Sequence, residues 1–339
     1  MKTTIYDIAK ASGVSPSTVS KVLHQSGRMS EKTRQRVLAV IEELSYQPSM
    51  VASALKAKRT FTVGLVVSDI TNPFCSSLAK SIEDVAITRG YNVIVASTDN
   101  DTDRQHKLID MLLQKQVDGY IMSPFSEDDE DCSKILSSGR PVVLADRLMS
   151  KVRTWAVTSD NVAGGYLATT YLLNQGHRDI ALFLEDPRLS SSAQRQRGYV
   201  TALHEQGIDV RPEWILSGHF GLDGGRSMLR QLSRVSVKPT AVFAANDLLA
   251  IGALQESFAL QWRIPEELSI VGYDDIPVAS MVHPPLTTVR QPVETMGRVA
   301  FDLLLEALEE NASARDVVLL PPRLIERASA IAHPAPALR

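Results

Sequence analysis

The sequence predicts two folds in one chain: a small all-α N-terminal domain, then an α/β region of two lobes, each built on a doubly wound parallel sheet. Three observations carry this expectation. Charge is split, because residues 1–60 hold ten Lys and Arg against four Asp and Glu, a balance of +6, while the remainder balances at −9 in a chain of 339 residues. The first 45 residues carry helix caps and helically spaced apolar residues. From residue 61, unbroken apolar runs alternate with amphipathic helices in two successive series, as in parallel sheets covered on both faces.

The elements follow in order. Thr4 with Asp7 three places on reads as a capping box that opens a helix carrying Ile8. Gly13 supplies a turn. Ser15 caps a second helix with Pro16 at its first position, the place where proline's missing N–H costs least. Ser30 caps a third, with Val37, Val40, Ile41 and Leu44 as its buried stripe. Pro48 ends that region, and residues 49–55 form one or two turns of weak helix, too short to persist unaided. The expected organisation is therefore a DNA-binding domain at 1–46, a hinge or linker at 47–60, and a two-lobed domain at 61–330. Strands are expected at 62–67, 91–96, 117–122, 141–145 and 155–159, then at 180–184, 240–245 and 268–273. A late helix (293–308) and the segment 317–320 return to the first lobe, which takes 61–160 with 291–325, while the second takes 161–290. The acidic run Glu127–Asp131 reads as a solvated helix start, and His177 as a loop residue.

In the second helix Val19, Val22 and Leu23 share one face at 100° per residue, and Ser17, Lys21 and His24 share the opposite one. One packed side and one side of hydrogen-bonding groups suit the DNA major groove. Helix, glycine-containing turn and helix make a helix-turn-helix. The +6 balance around it points to a polyanion partner.

At this point the chain resembles the lactose-repressor (LacI/GalR) family. The resemblance is carried by Thr4-Ile5-Tyr6-Asp7-Ile8-Ala9, by Gly13-Val14-Ser15-Pro16-Ser17-Thr18-Val19-Ser20-Lys21-Val22-Leu23 and by Leu44-Ser45-Tyr46-Gln47-Pro48. It continues through Asp69-Ile70-Thr71-Asn72-Pro73-Phe74, Gly272-Tyr273-Asp274-Asp275 and Pro285-Leu286-Thr287-Thr288-Val289-Arg290-Gln291-Pro292. The order is kept over essentially the whole chain. Lys21 stands where the family usually has Arg, and Ser53 where it often has Arg or Gln. The resemblance implies a periplasmic-binding-protein-like fold for the two lobes. It also implies that Ser17 and Lys21 touch base edges beside Pro16, and that Tyr6, Ser20, Ser30 and Thr33 touch phosphates, with Thr4 in the same DNA-facing set. The linker is implied to fold on DNA and to insert Leu55 into the minor groove as an apolar wedge.

Doubly wound lobes bind ligands beyond the carboxyl ends of their strands. That rule selects Asp69, Asn72 and Phe74 after the first strand, and Asp146 and Arg147 after the fourth. It also selects Asp160, Asn246 with Asp247, and Asp274; Arg195 lies on a helix after 180–184, and Phe220 supplies an aromatic face. Asp and Asn accept from hydroxyls, Arg donates to them as a fixed fork, and an aromatic ring covers an apolar sugar face. Taken singly, Asp146, Asp160 and Asp247 are as well explained as helix caps. The resemblance weights Arg195, Asn246 and Asp274 as ligand positions. Leu189 and Ser191 stand where the purine-responsive branch carries Arg and Thr, which points away from a nucleobase.

The expected function is a transcriptional regulator of the repressor kind, switched by a sugar or sugar acid, that binds a pseudo-palindromic operator as a homodimer. Nothing in the sequence matches a P-loop, Gly-x-Ser-x-Gly or a His/Cys metal cluster, so no enzyme activity, cofactor or metal is expected. No run of eighteen apolar residues exists and the N-terminus lacks a signal-peptide core. With two isolated cysteines, this suggests a cytoplasmic, nucleoid-associated protein without a membrane partner. A transport-type sugar-binding protein would need a signal peptide and no helix-turn-helix, the reverse of what this chain shows, while a regulator answering to a phosphoprotein stays open as an alternative.

Overall fold

A computed structural model describes residues 3–23, 27–46, 59–218, 220–309 and 317–333. The chain divides into two compact units, Met1–Thr60 and Phe61–Arg339. The first contains α1 (Ile5–Ser12), α2 (Pro16–Leu23) and α3 (Glu31–Glu43). Thr4 and Asp7 close a reciprocal capping box, and Gly13 ends α1 in the left-handed region at φ 65°. The Ser15 and Ser30 hydroxyls accept the N–H of Thr18 and Thr33, each at 3.2 Å. Ile8, Ala9, Val19, Val22 and Val37 form the buried core. So small a core gives the unit little stability of its own. Leu44, expected in the buried stripe, is 38% exposed, because it stands past the end of α3 as its C-cap.

The second unit carries two six-stranded sheets. Its elements are β1 (Thr62–Val67), α4 (Pro73–Thr88), β2 (Asn92–Ser97), α5 (Thr102–Gln114), β3 (Gly119–Met122), α6 (Glu130–Ser137), β4 (Val142–Ala145) and β5 (Trp155–Ser159). There follow α7 (Asn161–Asn174), β6 (Ile180–Leu184), α8 (Ser190–Glu205), β7 (Ile215–Ser217), α9 (Gly221–Leu232), β8 (Ala241–Ala244), α10 (Asp247–Ala259) and β9 (Ser269–Asp274). Last come β10 (Thr287–Arg290), α11 (Val293–Ala307), β11 (Val318–Leu320) and β12 (Arg323–Ile325). The sheets run β11-β5-β4-β3-β1-β2 and β12-β10-β9-β8-β6-β7. Every pairing is parallel except β10 with β12. Central strands such as β3, β4 and β8 are buried along their whole length, which is why they read as unbroken apolar runs.

The chain crosses between lobes three times, at 159–161, 290–293 and 320–323. Two crossings are tied directly, because the Asp160 N–H donates to the Leu320 carbonyl at 2.8 Å. The third crossing corrects the expected boundary. Residues 323–325 form an antiparallel edge of the second sheet, so the first lobe's return ends at Leu320 and not at 325. Beyond that edge the Ser329 hydroxyl receives the Thr287 N–H and donates to the Ile270 carbonyl, which stitches the tail to the second lobe.

One further expectation changes. Asp131 is not a solvated start of α6 but is buried, accepting from Gln105 at 2.7 Å and meeting His106 at 3.0 Å. His177 lies in the loop between α7 and β6, as expected, but is buried there, with Thr240 at 2.9 Å and the Ile331 carbonyl at 3.0 Å. Burial lowers its pKa, which favours the neutral ring. Among the described residues no helix is long and apolar enough to cross a membrane.

Candidate functional site

The described DNA-facing candidates lie on or at the ends of the first unit's three helices. Val19 and Val22 of α2 are buried while Ser17 and Lys21 are exposed, as the helical spacing required. The Ser17 hydroxyl lies 2.7 Å from that of Ser15. The stem of Lys21 runs over Gly27, where an added Cβ would lie 3.3 Å from the lysine Cδ; Gly27 sits at φ +79°. The stem is thus braced while the ammonium is left to reach outward. Tyr6 is 71% exposed. Ser30 and Thr33 hold their hydroxyls 2.8 Å apart at the N-terminus of α3, where backbone N–H groups favour an anion. Thr4 is engaged in its capping box, Pro16 opens α2, and Ser20 follows Val19 on the same helix. His24 and Leu55 lie outside the described residues.

The second candidate site is the cleft between the lobes. From the first lobe come Asn72 and Phe74 at the start of α4, and Asp146 and Arg147 just past β4. From the second come Glu185 past β6, Ser191 and Arg195 on α8, Asn246 before α10 and Asp274 at the end of β9, with Gln291 on a crossing. The free volume among them is about 10 Å³, room for about one water. Arg195 is placed by an unusually close helix pair. A Cβ at Gly165 of α7 would stand 2.2 Å from the Arg195 carbonyl, and one at Gly198 would stand 2.2 Å from that of Val162, so only glycine allows α7 and α8 to meet. From there Arg195 donates to Asn161 at 2.8 Å, stacks 3.7 Å from the Tyr273 ring centre and stands 3.8 Å from Asp274. Gln291 donates to Asp274 at 2.7 Å. Arg147 donates to Glu185 at 3.0 Å, and Asn246 donates to the other Glu185 oxygen at 2.6 Å.

Three polar atoms at this site have no hydrogen-bond partner among the described residues: Nε and Nη1 of Arg147 and Oε1 of Gln291. Such atoms are costly when buried and mark where a polar ligand gains most. Burial pushes the Asp274 carboxyl up to about 7 against the pull of Arg195, with Asp146 and Glu185 adding to the rise. Asp146 is raised for the same first reason.

This has a measurable consequence. A carboxyl whose folded pKa is raised favours the folded state fully below its unfolded pKa, and that advantage is lost as pH rises to the folded value. From Asp274 alone, stability is expected to fall by on the order of 4 kcal/mol between about pH 4 and pH 7. Asp274→Asn is expected to flatten the slope in that window. Denaturation midpoints of both proteins at each pH check it, and equal slopes would refute the assignment.

Seven of the nine cleft candidates face the space between the lobes. Asn72, Phe74, Arg147, Arg195, Asn246 and Asp274 line the inner cavity. Phe220 lines a separate chamber of about 550 Å³ with Phe125 and Asp128 of one lobe and Asp186 and Arg188 of the other. The remaining two are used locally. Asp69 takes the N–H and hydroxyl of Thr71 in a turn, at 2.8 and 2.7 Å, and Asp160 caps α7 by accepting from Ala163 at 2.9 Å. Asp247 is also structural: it is fully buried and accepts from Thr288 and the Ile276 N–H. Glu185 and Gln291 escaped the sequence reading. Glu185 directly follows an apolar run, the same signal that selected Asp146, whereas Gln291 follows a strand that was not expected.

Comparison with known proteins decides the family. Residues 4–49 match the model of bacterial regulatory proteins of the lacI family, and residues 169–330 match a periplasmic binding protein-like domain. The chain is 38% identical over 332 residues to the transcriptional regulator DegA of Bacillus subtilis, covering 97% of this chain and 98% of the relative. It belongs to the LacI family. A second relative of this LacI-family regulator is the ribose operon repressor of Haemophilus influenzae, 37% identical over 94% of this chain and 96% of the relative. A solved lac repressor dimer, bound to operator and the anti-inducer ONPF, superposes with a TM-score of 0.87 at 28% identity. It covers 98% of this chain and all of that one. The LacI-family helix-turn-helix and two-lobed domain are thus the parts described above, and the protein is a DNA-binding transcriptional regulator.

Proposed function

We propose that the protein is a sequence-specific repressor that binds a pseudo-palindromic operator as a homodimer and is controlled by a sugar or sugar acid held between its lobes. The observation that carries this reading is the buried convergence of Arg147, Arg195, Asn246, Asp274 and Gln291, from both lobes, with donor and acceptor atoms that lack a hydrogen-bond partner among the described residues. That set recognises a polyhydroxylated ligand. A relative named a ribose operon repressor and a solved lac repressor–operator dimer agree with it in kind. Lys21 and Ser17 read bases. Thr4, Tyr6, Ser20, Ser30 and Thr33 hold the backbone, with Pro16 setting the angle of α2 and Leu55 wedging the minor groove. A regulator of chromosomal genes works in the cytoplasm and needs no catalytic group.

Pairing has a surface to use. Phe258 on α10 is 70% exposed and lines a cavity with Trp262 and Ile264, and Met281 is 75% exposed. An isologous contact there buries apolar side chains that otherwise face water. The test uses the full chain on DNA from its own upstream region. Light scattering is expected to give two chains, and fluorescence anisotropy is expected to show that one sugar or sugar acid changes operator affinity at least tenfold. A monomer that ignores every sugar, sugar acid and purine would sink the reading.

A further inference from the structure

One side chain already sits where a ligand is expected. Glu185 is 7% exposed and hangs from the end of β6 in the second lobe. One of its oxygens takes Nη2 of Arg147 from the first lobe at 3.0 Å, and the other takes Nδ2 of Asn246 at 2.6 Å. This is the contact pattern of a bound carboxylate: one donor on each oxygen, a guanidinium on one side and an amide on the other. The free volume beside it is about 10 Å³. Glu185 is one of the side chains that line the narrow inner cleft, while the outer chamber of about 550 Å³ stays open.

We propose that Glu185 is a built-in occupant of the effector seat. Its carboxylate latches the two lobes through Arg147, and a ligand carboxylate enters the inner cleft by taking its place. The inference rests on the reading of this cleft as the effector site and adds the chemistry of the competition. The groups facing Glu185 are Arg147 and Asp146 from beyond β4, Arg195 from α8, Asn246 from before α10 and Asp274 from β9. Asp146 and Asp274 oppose a second anion, and the two guanidiniums are already engaged with acids. The seat therefore holds one carboxylate at a time. The latch also gives an effector something to act on, since a ligand shifts a conformational equilibrium only through unequal affinity for the two states.

The test needs no knowledge of the effector, because acetate is the smallest stand-in for the missing side-chain group. Full-length Glu185→Ala is expected to melt several degrees below the wild type in chloride buffer. Sodium acetate at equal ionic strength is expected to recover most of that loss, with no comparable gain for the wild type. Spin labels at Asp103→Cys and Asp223→Cys, exposed positions on opposite lobes near the chamber, report the spacing. It is expected to lengthen in Glu185→Ala and to shorten again with acetate. Either an acetate effect no larger than that of chloride or an unchanged spacing overturns the proposal. Should Glu185→Ala not fold, Glu185→Gln takes its place in the spacing measurement. It removes the charge that faces Arg147 and leaves one acceptor oxygen where Glu185 offers two, so a longer spacing supports the latch and a wild-type spacing overturns it. None of these readouts involves the effector, so their failure leaves the effector-site reading standing, and failure of the Arg195 test below leaves the latch standing.

Discussion

Replacing Arg195 with alanine is expected to yield a regulator that holds its operator but no longer answers to its effector. Arg195 is 6% exposed, with its guanidinium spread over Asn161, the Ala245 carbonyl and the Tyr273 ring, 3.8 Å from Asp274. Truncation removes the fork offered to ligand hydroxyls and leaves Asp274 buried without its cation. Each hydrogen-bonding group left unpaired costs about 1–3 kcal/mol, so effector affinity is expected to fall at least about tenfold, which corresponds to about 1.4 kcal/mol. Breaking a buried ion pair from one side costs about 3–5 kcal/mol, so the variant is also expected to melt earlier. Arg195→Lys separates these effects: it keeps the charge beside Asp274 but not the planar fork, and should recover stability more than affinity. Operator affinity without effector is expected to stay close to wild type, because the residue lies in the second unit. Asp274→Ala is expected to lose effector affinity alike. Calorimetry with the identified ligand, beside an operator-binding assay, decides the matter; full effector affinity in Arg195→Ala would remove it from the site.

Lys21→Ala is expected to lose about 1–3 kcal/mol of discrimination between operator and unrelated DNA. The residue is exposed opposite Val19 and Val22, and its stem is braced over Gly27, so a restrained arm carries its ammonium outward. Phosphate contacts dominate the total affinity and carry no sequence information. Wild-type affinity is therefore expected to fall steeply with salt, by about a thousandfold or more between about 50 and 200 mM if six or more phosphates are contacted. The alanine variant should keep much of that salt slope while its preference for operator shrinks. Affinities for operator and scrambled DNA over a salt series separate the two terms. A uniform loss on all sequences would make Lys21 a phosphate ligand instead of a base reader.

How much of this was legible in the sequence follows from the range over which each signal acts. Caps and turns are local. Thr4 with Asp7, Gly13, Ser15 with Pro16, and Ser30 each bond within four residues, so the helix-turn-helix could be read directly. Most buried strands were equally plain, because a central parallel strand usually needs apolar residues on both faces; β10 was missed because its buried positions include Thr287 and Thr288. The short edge strands were not. β7 and β12 are only partly buried and β12 runs antiparallel, so neither leaves an apolar run to find. For the cleft, the rule of strand ends named Arg147, Asn246 and Asp274, but it also named Asp69 and Asp160. Composition cannot say whether a carboxylate after a strand turns toward a ligand or back onto its own backbone; Asp160 finds the Ala163 N–H nearer to hand. Only the tertiary structure could show that Glu185 reaches across the lobes to Arg147, 38 residues earlier in the chain. That contact depends on how two separately folded sheets face each other, which no local pattern encodes.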